Sequence, residues 1–141
     1  MSTRMSQTEK ETFLAGLHVG VLSMNQPDRA PLTVPIWYNY RPGGSITVIT
    51  GSNSRKGALL ETGTQVGLAA QEESLPYKYV SIEGTVASIA PATAEELSAM
   101  AIRYLGQEMG EQYAQSNSIE GQVTVTIKPT RWLAVDYGKA S

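Results

Sequence analysis

Leu32-Thr33-Val34-Pro35-Ile36-Trp37-Tyr38-Asn39-Tyr40, then Arg41-Pro42-Gly43-Gly44, then Ser45-Ile46-Thr47-Val48-Ile49-Thr50 read as a strand, a tight turn and a returning strand. The first run is rich in β-branched and aromatic residues, which suit a pleated, half-buried surface. Alternation places Leu32, Val34, Ile36 and Tyr38 on one face and Thr33, Pro35, Trp37 and Asn39 on the other. Pro35 has no N–H for a ladder, so it marks an edge strand or a bulge. The glycine pair gives the turn the backbone freedom a hairpin needs. A hairpin of this kind points to a mainly β, antiparallel fold.

The flanking sequence extends the same pattern. Upstream, Ser6-Gln7-Thr8-Glu9 forms a capping box, and Phe13, Leu14 and Leu17 supply the buried stripe of a short helix stopped near Gly16. His18 to Met24 reads as a strand and Asn25-Gln26-Pro27-Asp28 as a turn. Downstream, Ser54 caps a short helix over residues 55–61, and Gln65 to Ala70 is a strand. Leu75-Pro76 breaks the pattern before a long strand from Tyr77 to Ile89, in which Gly84 marks a bulge. Thr93-Ala94-Glu95-Glu96 opens a helix to about Leu105, and a shorter helical piece covers Glu108 to Ala114. Val123, Val125 and Ile127 alternate with Thr124, Thr126 and Lys128; Pro129-Thr130 turns the chain, and Trp132 to Tyr137 is the last strand. The expectation is one domain over residues 1–141, with residues 1–5 as a flexible tail. Six to seven antiparallel strands would close into a small, Greek-key-like β-barrel with short helices at its rim.

Composition excludes several functions. The chain has 141 residues, 11 Lys plus Arg and 13 Asp plus Glu, for a net charge of −2. A general nucleic-acid binder would carry a positive balance. There is no cysteine, hence no disulfide, no thiolate nucleophile and no Cys-based metal site. A single histidine, His18, rules out a His-rich zinc site or a histidine pair within one subunit. No apolar run approaches the ~20 residues of a membrane span. The polar N-terminus lacks the apolar core of a signal peptide. These features predict a cytoplasmic protein with no nucleic-acid or membrane partner. Charged residues are 17% of the chain, against about 25% in an average domain, which points to a surface covered by a partner.

Four stretches carry candidate chemistry. In Thr50-Gly51-Ser52-Asn53-Ser54-Arg55-Lys56-Gly57 a strand ends in a loop of hydroxyl residues and a helix opens with two cations. Free N–H groups, hydroxyls, a bidentate Arg55 and the Lys56 charge would make a phosphate cradle. The alternative is a Ser-capped surface helix. Val34-Pro35-Ile36-Trp37-Tyr38 offers a wall for a planar ring or plain core packing; Tyr38 suits the core, and Trp37, on the opposite face, suits a ring or interface contact. In Pro76-Tyr77-Lys78-Tyr79-Val80, Lys78 reads either as an anion contact or as an edge-strand charge that discourages aggregation. Trp132, beside Arg131 in the last strand, suits a subunit interface or the core. His18 and Arg103 read as structural. With no recognisable catalytic triad or paired-carboxylate site, any redox chemistry would come from a bound cofactor.

In this order, and with the tail Arg131 to Lys139, these stretches resemble the pyridoxamine 5'-phosphate oxidase-like superfamily of FMN-binding split β-barrels, over residues 12–139. Among its members the chain is most similar to the short flavin- and deazaflavin-dependent oxidoreductases. The resemblance implies a homodimer with cofactor sites at the subunit interface. Ser54, Arg55 and Lys56 would hold the cofactor phosphate, and Pro35, Ile36 and Trp37 would lie along the ring. Thr50 and Ser52 would line the channel between, and Lys78 or Trp132 of the other subunit would complete the pocket. The implied cofactor is the deazaflavin coenzyme F-420, the nearer branch, or FMN. The implied activity is hydride transfer to a small, largely apolar acceptor. The alternative is a non-catalytic flavin or haem carrier, or an apolar-ligand-binding dimer, on the same barrel. The chain lacks the C-terminal Arg/His substrate motif of true pyridoxamine 5'-phosphate oxidases, so oxidation of that substrate is not expected.

Overall fold

The computed structural model describes residues 2–140. In chain order the elements are α1 (Gln7–Ala15), β1 (Gly20–Gln26), β2 (Arg29–Ile36), β3 (Asn39–Tyr40), β4 (Ile46–Gly51), α2 (Arg55–Leu59), β5 (Gln65–Glu72), β6 (Lys78–Pro91), α3 (Ala94–Leu105), α4 (Gln107–Ser116) and β7 (Gln122–Asp136), followed by a 3-10 turn at Tyr137–Ala140. The fold is mainly β, and every ladder is antiparallel.

The seven strands lie in the order β2-β1-β5-β6-β7-β4-β3. The expected closed barrel is therefore corrected to an open sheet, since β2 and β3 are both edges and do not pair with each other. Yet only Trp37 and Tyr38 separate these two edges along the chain. Three Cα–Cα steps reach at most about 11 Å, so the sheet must curl until its edges almost meet. What results is a barrel with a split down one side.

The concave face holds the core. Leu22, Leu68 and Ile82 lie in cross-strand register and are essentially fully buried. Tyr38, Ile46, Val48, Val125 and Ile127 fill the opposite wall. Tyr38 is thus a core residue, with its phenol donating to the Leu14 carbonyl at 2.6 Å. Burial pushes that phenol well above its ordinary pKa.

Both capping boxes form, at Ser6/Glu9 and Thr93/Glu96. Gly84 sits where the β6–β7 register shifts, and a Cβ there would lie 2.6 Å from Ile127 Cγ2. Four sequence expectations change. The run expected as one strand to Tyr40 leaves the sheet at Trp37. Pro129-Thr130 does not turn the chain: Glu83 pairs with Arg131 and Gly84 with Pro129, so Thr130 is an extra residue bulged within one continuous 15-residue strand. A bulge tolerates a proline that cannot donate. Leu17 lies beyond the end of α1 and is 58% exposed rather than packed inward. The segment expected as a tail docks on β7, through an Arg4–Val135 bridge and an Asp136 N–H to Thr3 carbonyl bond of 2.8 Å, with Met5 in the core; Met1 lies outside the described residues. Among the described residues no helix is long and apolar enough to cross a membrane.

Candidate functional site

The split is a slot with two ends. One wall is the free edge of β2, which pairs only with β1. The other is β4, whose β3 partner covers only Ile46 and Thr47, leaving the edge bare from Val48 to Gly51. Unpaired N–H and C=O groups on such edges recognise polar atoms in register. The Trp37–Tyr38 link bounds one end. Helix α2 bounds the other, packing on both β1 and β4.

At the α2 end, Ser54 is the N-cap. Its hydroxyl donates to the Gly51 carbonyl at 2.7 Å and accepts from the Gly57 N–H at 3.0 Å. Thr50, 4% exposed, places its own hydroxyl 3.2 Å from the Ser54 oxygen. A hydroxyl has one proton to give, and that of Ser54 is spent on Gly51. Ser54 and Thr50 therefore shape the loop from within. Gly57 permits this packing: a Cβ there would sit 2.1 Å from the Gly51 oxygen. Ser52 is exposed, tied down by its N–H to the Gly121 carbonyl at 2.8 Å.

Arg55 reaches across to β1, where its Nε and Nη2 donate to the Gln26 side-chain oxygen at 3.2 and 3.0 Å. The sequence pattern shows nothing of Gln26, because the pair is 29 residues apart. A neutral amide orients the guanidinium without neutralising it. Lys56 is half-buried and has no hydrogen bond or ion pair among the described residues. Two positive charges thus stand at one end of the slot with no carboxylate partner.

At the other end, Pro35 projects outward and is exposed, Ile36 is 8% exposed, and Trp37 is half-buried. The Trp37 indole stacks on Tyr104 and leans on Tyr113, with centroids 5.0 and 5.4 Å away. Much of its ring surface is therefore taken by the α3–α4 hairpin, whose role the sequence did not disclose. Arg103, read as structural, lies in the last turn of α3 and donates to the carbonyls of Tyr38, Ala15 and Gly16 at 2.8–3.2 Å.

Lys78 and Trp132 lie elsewhere in the subunit. Lys78 starts β6 in register with Glu72 and Asp136. Trp132 faces the concave side across from Ile82, edge-on to Tyr40 at 6.0 Å. His18 stacks on Phe13, with its Nε2 3.0 Å from the Phe13 carbonyl.

The convex face carries a row of small and apolar side chains in register across five strands: Pro35, Val21, Ala69, Ser81 and Leu133. Val21 and Leu133 are 39% and 58% exposed. Around Val21 and Pro35 lies an open depression of about 700 Å³, walled also by Leu17, Val19, Ala69 and Tyr79.

A curled, split antiparallel sheet with a cationic helix closing the split defines a small split-barrel protein. The chain belongs to the pyridoxamine 5'-phosphate oxidase family, whose pattern it matches over residues 6–136. Solved structures share the fold. A conserved hypothetical protein from Mycobacterium tuberculosis superposes with a TM-score of 0.80 at 22% identity, covering 99% of this chain and 89% of its own. An F-420 reductase gives 0.74 at 21% identity, covering 87% and 94%. An FAD- and haem-binding protein from Mycobacterium smegmatis gives 0.69 at 14% identity, covering 94% and 72%. No functionally curated protein matches the chain.

Proposed function

We propose that this chain binds a phosphate-bearing flavin-type cofactor along the split and uses it to pass a hydride to a small, largely apolar acceptor. The observation that carries this reading is the slot itself. It has bare strand edges on both sides, the unpaired Arg55 and Lys56 charges at one end, and Pro35, Ile36 and Trp37 at the other. Arg55 and Lys56 hold the phosphate, Thr50 and Ser54 fix the loop that presents them, and Ser52 offers an exposed hydroxyl to the channel. The bare β2 and β4 edges meet the polar rim of the ring system. The cofactor supplies the redox chemistry; the protein supplies orientation, charge and exclusion of water. The structural likeness to an F-420 reductase favours the deazaflavin coenzyme over FMN.

A second copy of the chain completes the site in this reading. The exposed row from Pro35 to Leu133 is apolar enough to be covered, and it begins at the residue proposed to line the ring. Lys78 or Trp132 of that copy would then close the pocket.

Paired fluorescence titration with FMN and with the deazaflavin coenzyme tests the proposal. Micromolar binding of the deazaflavin, weaker binding of FMN, and turnover of an acceptor by the reduced complex are expected. Tight binding without turnover would make the protein a carrier. Binding of neither overturns the reading.

A further inference from the structure

Helix α3 turns one stripe toward the sheet: Glu96, Ala99, Met100 and Arg103, spaced i, i+3, i+4, i+7. Facing it are Asn39, Thr47, Ile49 and Thr124 on the convex side of β3, β4 and β7. Between them is a cavity of about 460 Å³, within the ~300–1,000 Å³ range of small-molecule sites.

The stripe is dipolar. Seven residues of helical rise put the Glu96 and Arg103 backbones about 10 Å apart. Both ends are held in place. Glu96 Oε1 accepts from the Thr93 N–H at 2.9 Å and from the Thr124 hydroxyl at 3.1 Å. Those hydrogen bonds, the Thr93 N–H first, hold its carboxyl below the ordinary glutamate range. Its Oε2 has no hydrogen-bond partner among the described residues. At the other end, Arg103 spends Nε and Nη2 on three backbone carbonyls, while Nη1 has no partner among the described residues. The middle of the cavity is apolar, formed by Ile49, Ala99 and Met100.

We propose that the cavity under α3 binds a small zwitterion whose amine meets Glu96, whose carboxylate meets Arg103, and whose aliphatic chain lies on Ile49, Ala99 and Met100. Glu96 and Ala99 lie at the exposed rim and Arg103 is half-buried, so a ligand with one charge would gain the charge-assisted contact at one end only, whereas a zwitterion would gain both. The cavity adjoins the slot at β4 and the Tyr38 link, but it opens on the convex faces of β4 and β7 and uses none of the cationic loop. The proposal does not depend on the cofactor reading.

The test is calorimetric titration of the full chain with 6-aminohexanoate, hexanoate and hexylamine. The zwitterion should bind at least tenfold more tightly than either singly charged analogue. Glu96→Gln keeps the capping box, since glutamine also serves at that position. It should weaken 6-aminohexanoate at least tenfold and leave hexanoate unchanged. Ala99→Phe fills the cavity from an exposed helix position and should remove binding without lowering Tm. No binding of 6-aminohexanoate, equal binding of the three probes, or unchanged binding in either folded variant overturns the proposal.

Discussion

The Trp37 indole lies flat on the Tyr104 ring, with centroids 5.0 Å apart and planes within 4° of parallel. The same tyrosine hydroxyl accepts from the Tyr38 N–H at 3.1 Å and lies 2.6 Å from the His18 carbonyl oxygen and 3.0 Å from that of Tyr38. One side chain of α3 thus holds both the ring and the backbone of the link that joins the two edges of the sheet. Neither edge strand needs to pair there, and the split stays open because α3 satisfies the polar groups a ladder would otherwise use.

Removing only that hydroxyl separates its two roles. Tyr104→Phe keeps the stack but leaves the part-buried Tyr38 N–H without its partner, so it should lose about 1–3 kcal/mol of stability. Tyr104→Leu should lose about 0.5–1.5 kcal/mol more, the worth of an aromatic pair beyond its area. Urea unfolding monitored by tryptophan fluorescence measures both. Identical midpoints for wild type and Tyr104→Phe would show that the Tyr104 hydroxyl does not hold the link.

The packing of α2 on its loop makes a sharper test of the cationic end. In Gly57→Ala the new methyl would meet the Gly51 oxygen at 2.1 Å, and that oxygen is a backbone atom that no side-chain rotation can move aside. Strain of this kind typically costs about 1–3 kcal/mol. The shift in α2 should also carry Arg55 away from Gln26. A lowered Tm together with weakened FMN or deazaflavin binding is expected, and a variant with wild-type Tm would contradict the contact.

These elements show how far the sequence reaches. The caps at Ser6 and Thr93, the hairpin at Gly43-Gly44, the bulge at Gly84 and the alternation of β7 were legible, because each depends on residues within a few positions of one another. The departure of Trp37 and Tyr38 from the sheet was not. It is caused by Tyr104 and Arg103, more than sixty residues away. Pro129 misled for a related reason: a proline reads as a turn unless the pairing with β6 is known, which shows that its own strand bulges at Thr130 and continues. At the slot, the Ser-Arg-Lys run was visible, but the direction of each donor was not. Ser54 looked free to bind phosphate, yet its proton goes to Gly51, while the Gln26 that orients Arg55 read as part of a turn and is the last residue of β1.

A phosphate cradle makes its own prediction. Arg55→Ala with Lys56→Ala should weaken FMN binding strongly, since each charge-assisted contact is worth about 1.5–3 kcal/mol and the two are not additive. Riboflavin, which has the ring and no phosphate, should bind wild type and double variant alike. Equal loss for both ligands would mean the loop had collapsed. Unchanged FMN affinity would remove Arg55 and Lys56 from the site.

The termini supply a pH-dependent contact. Lys139 Nζ lies 2.7 Å from the Glu9 carboxylate, and this bond, followed by the Ser6 N–H, lowers the Glu9 pKa from 4.5 to about 2. A depressed folded-state pKa adds stability above the unfolded value, and that share disappears as pH falls from about 4.5 toward 2. Lys139→Met should raise the Glu9 pKa, as read by NMR of the side-chain carboxyl. Its stability gap from wild type should be open at neutral pH and closed at the acid end of that window. A gap independent of pH would assign the loss to packing instead.

The last expectation concerns the convex face, and it decides whether one chain can make the site alone. Val21 and Leu133 lie on either side of Ala69 and Ser81, with two strands between them, and both are exposed apolar side chains on the sheet. A charge placed there faces water in a monomer and is tolerated, but in a dimer it is buried without a partner, which is costly. Val21→Arg and Leu133→Arg should therefore leave the monomer folded, with far-ultraviolet circular dichroism unchanged, and shift the mass seen by light scattering from two chains to one. If the proposed site is shared between subunits, cofactor affinity should fall with the mass even though Arg55, Lys56 and Trp37 are untouched. Wild type that is monomeric at all concentrations would refute the shared site, and loss of the dimer with full retention of cofactor binding would place the whole slot within one subunit.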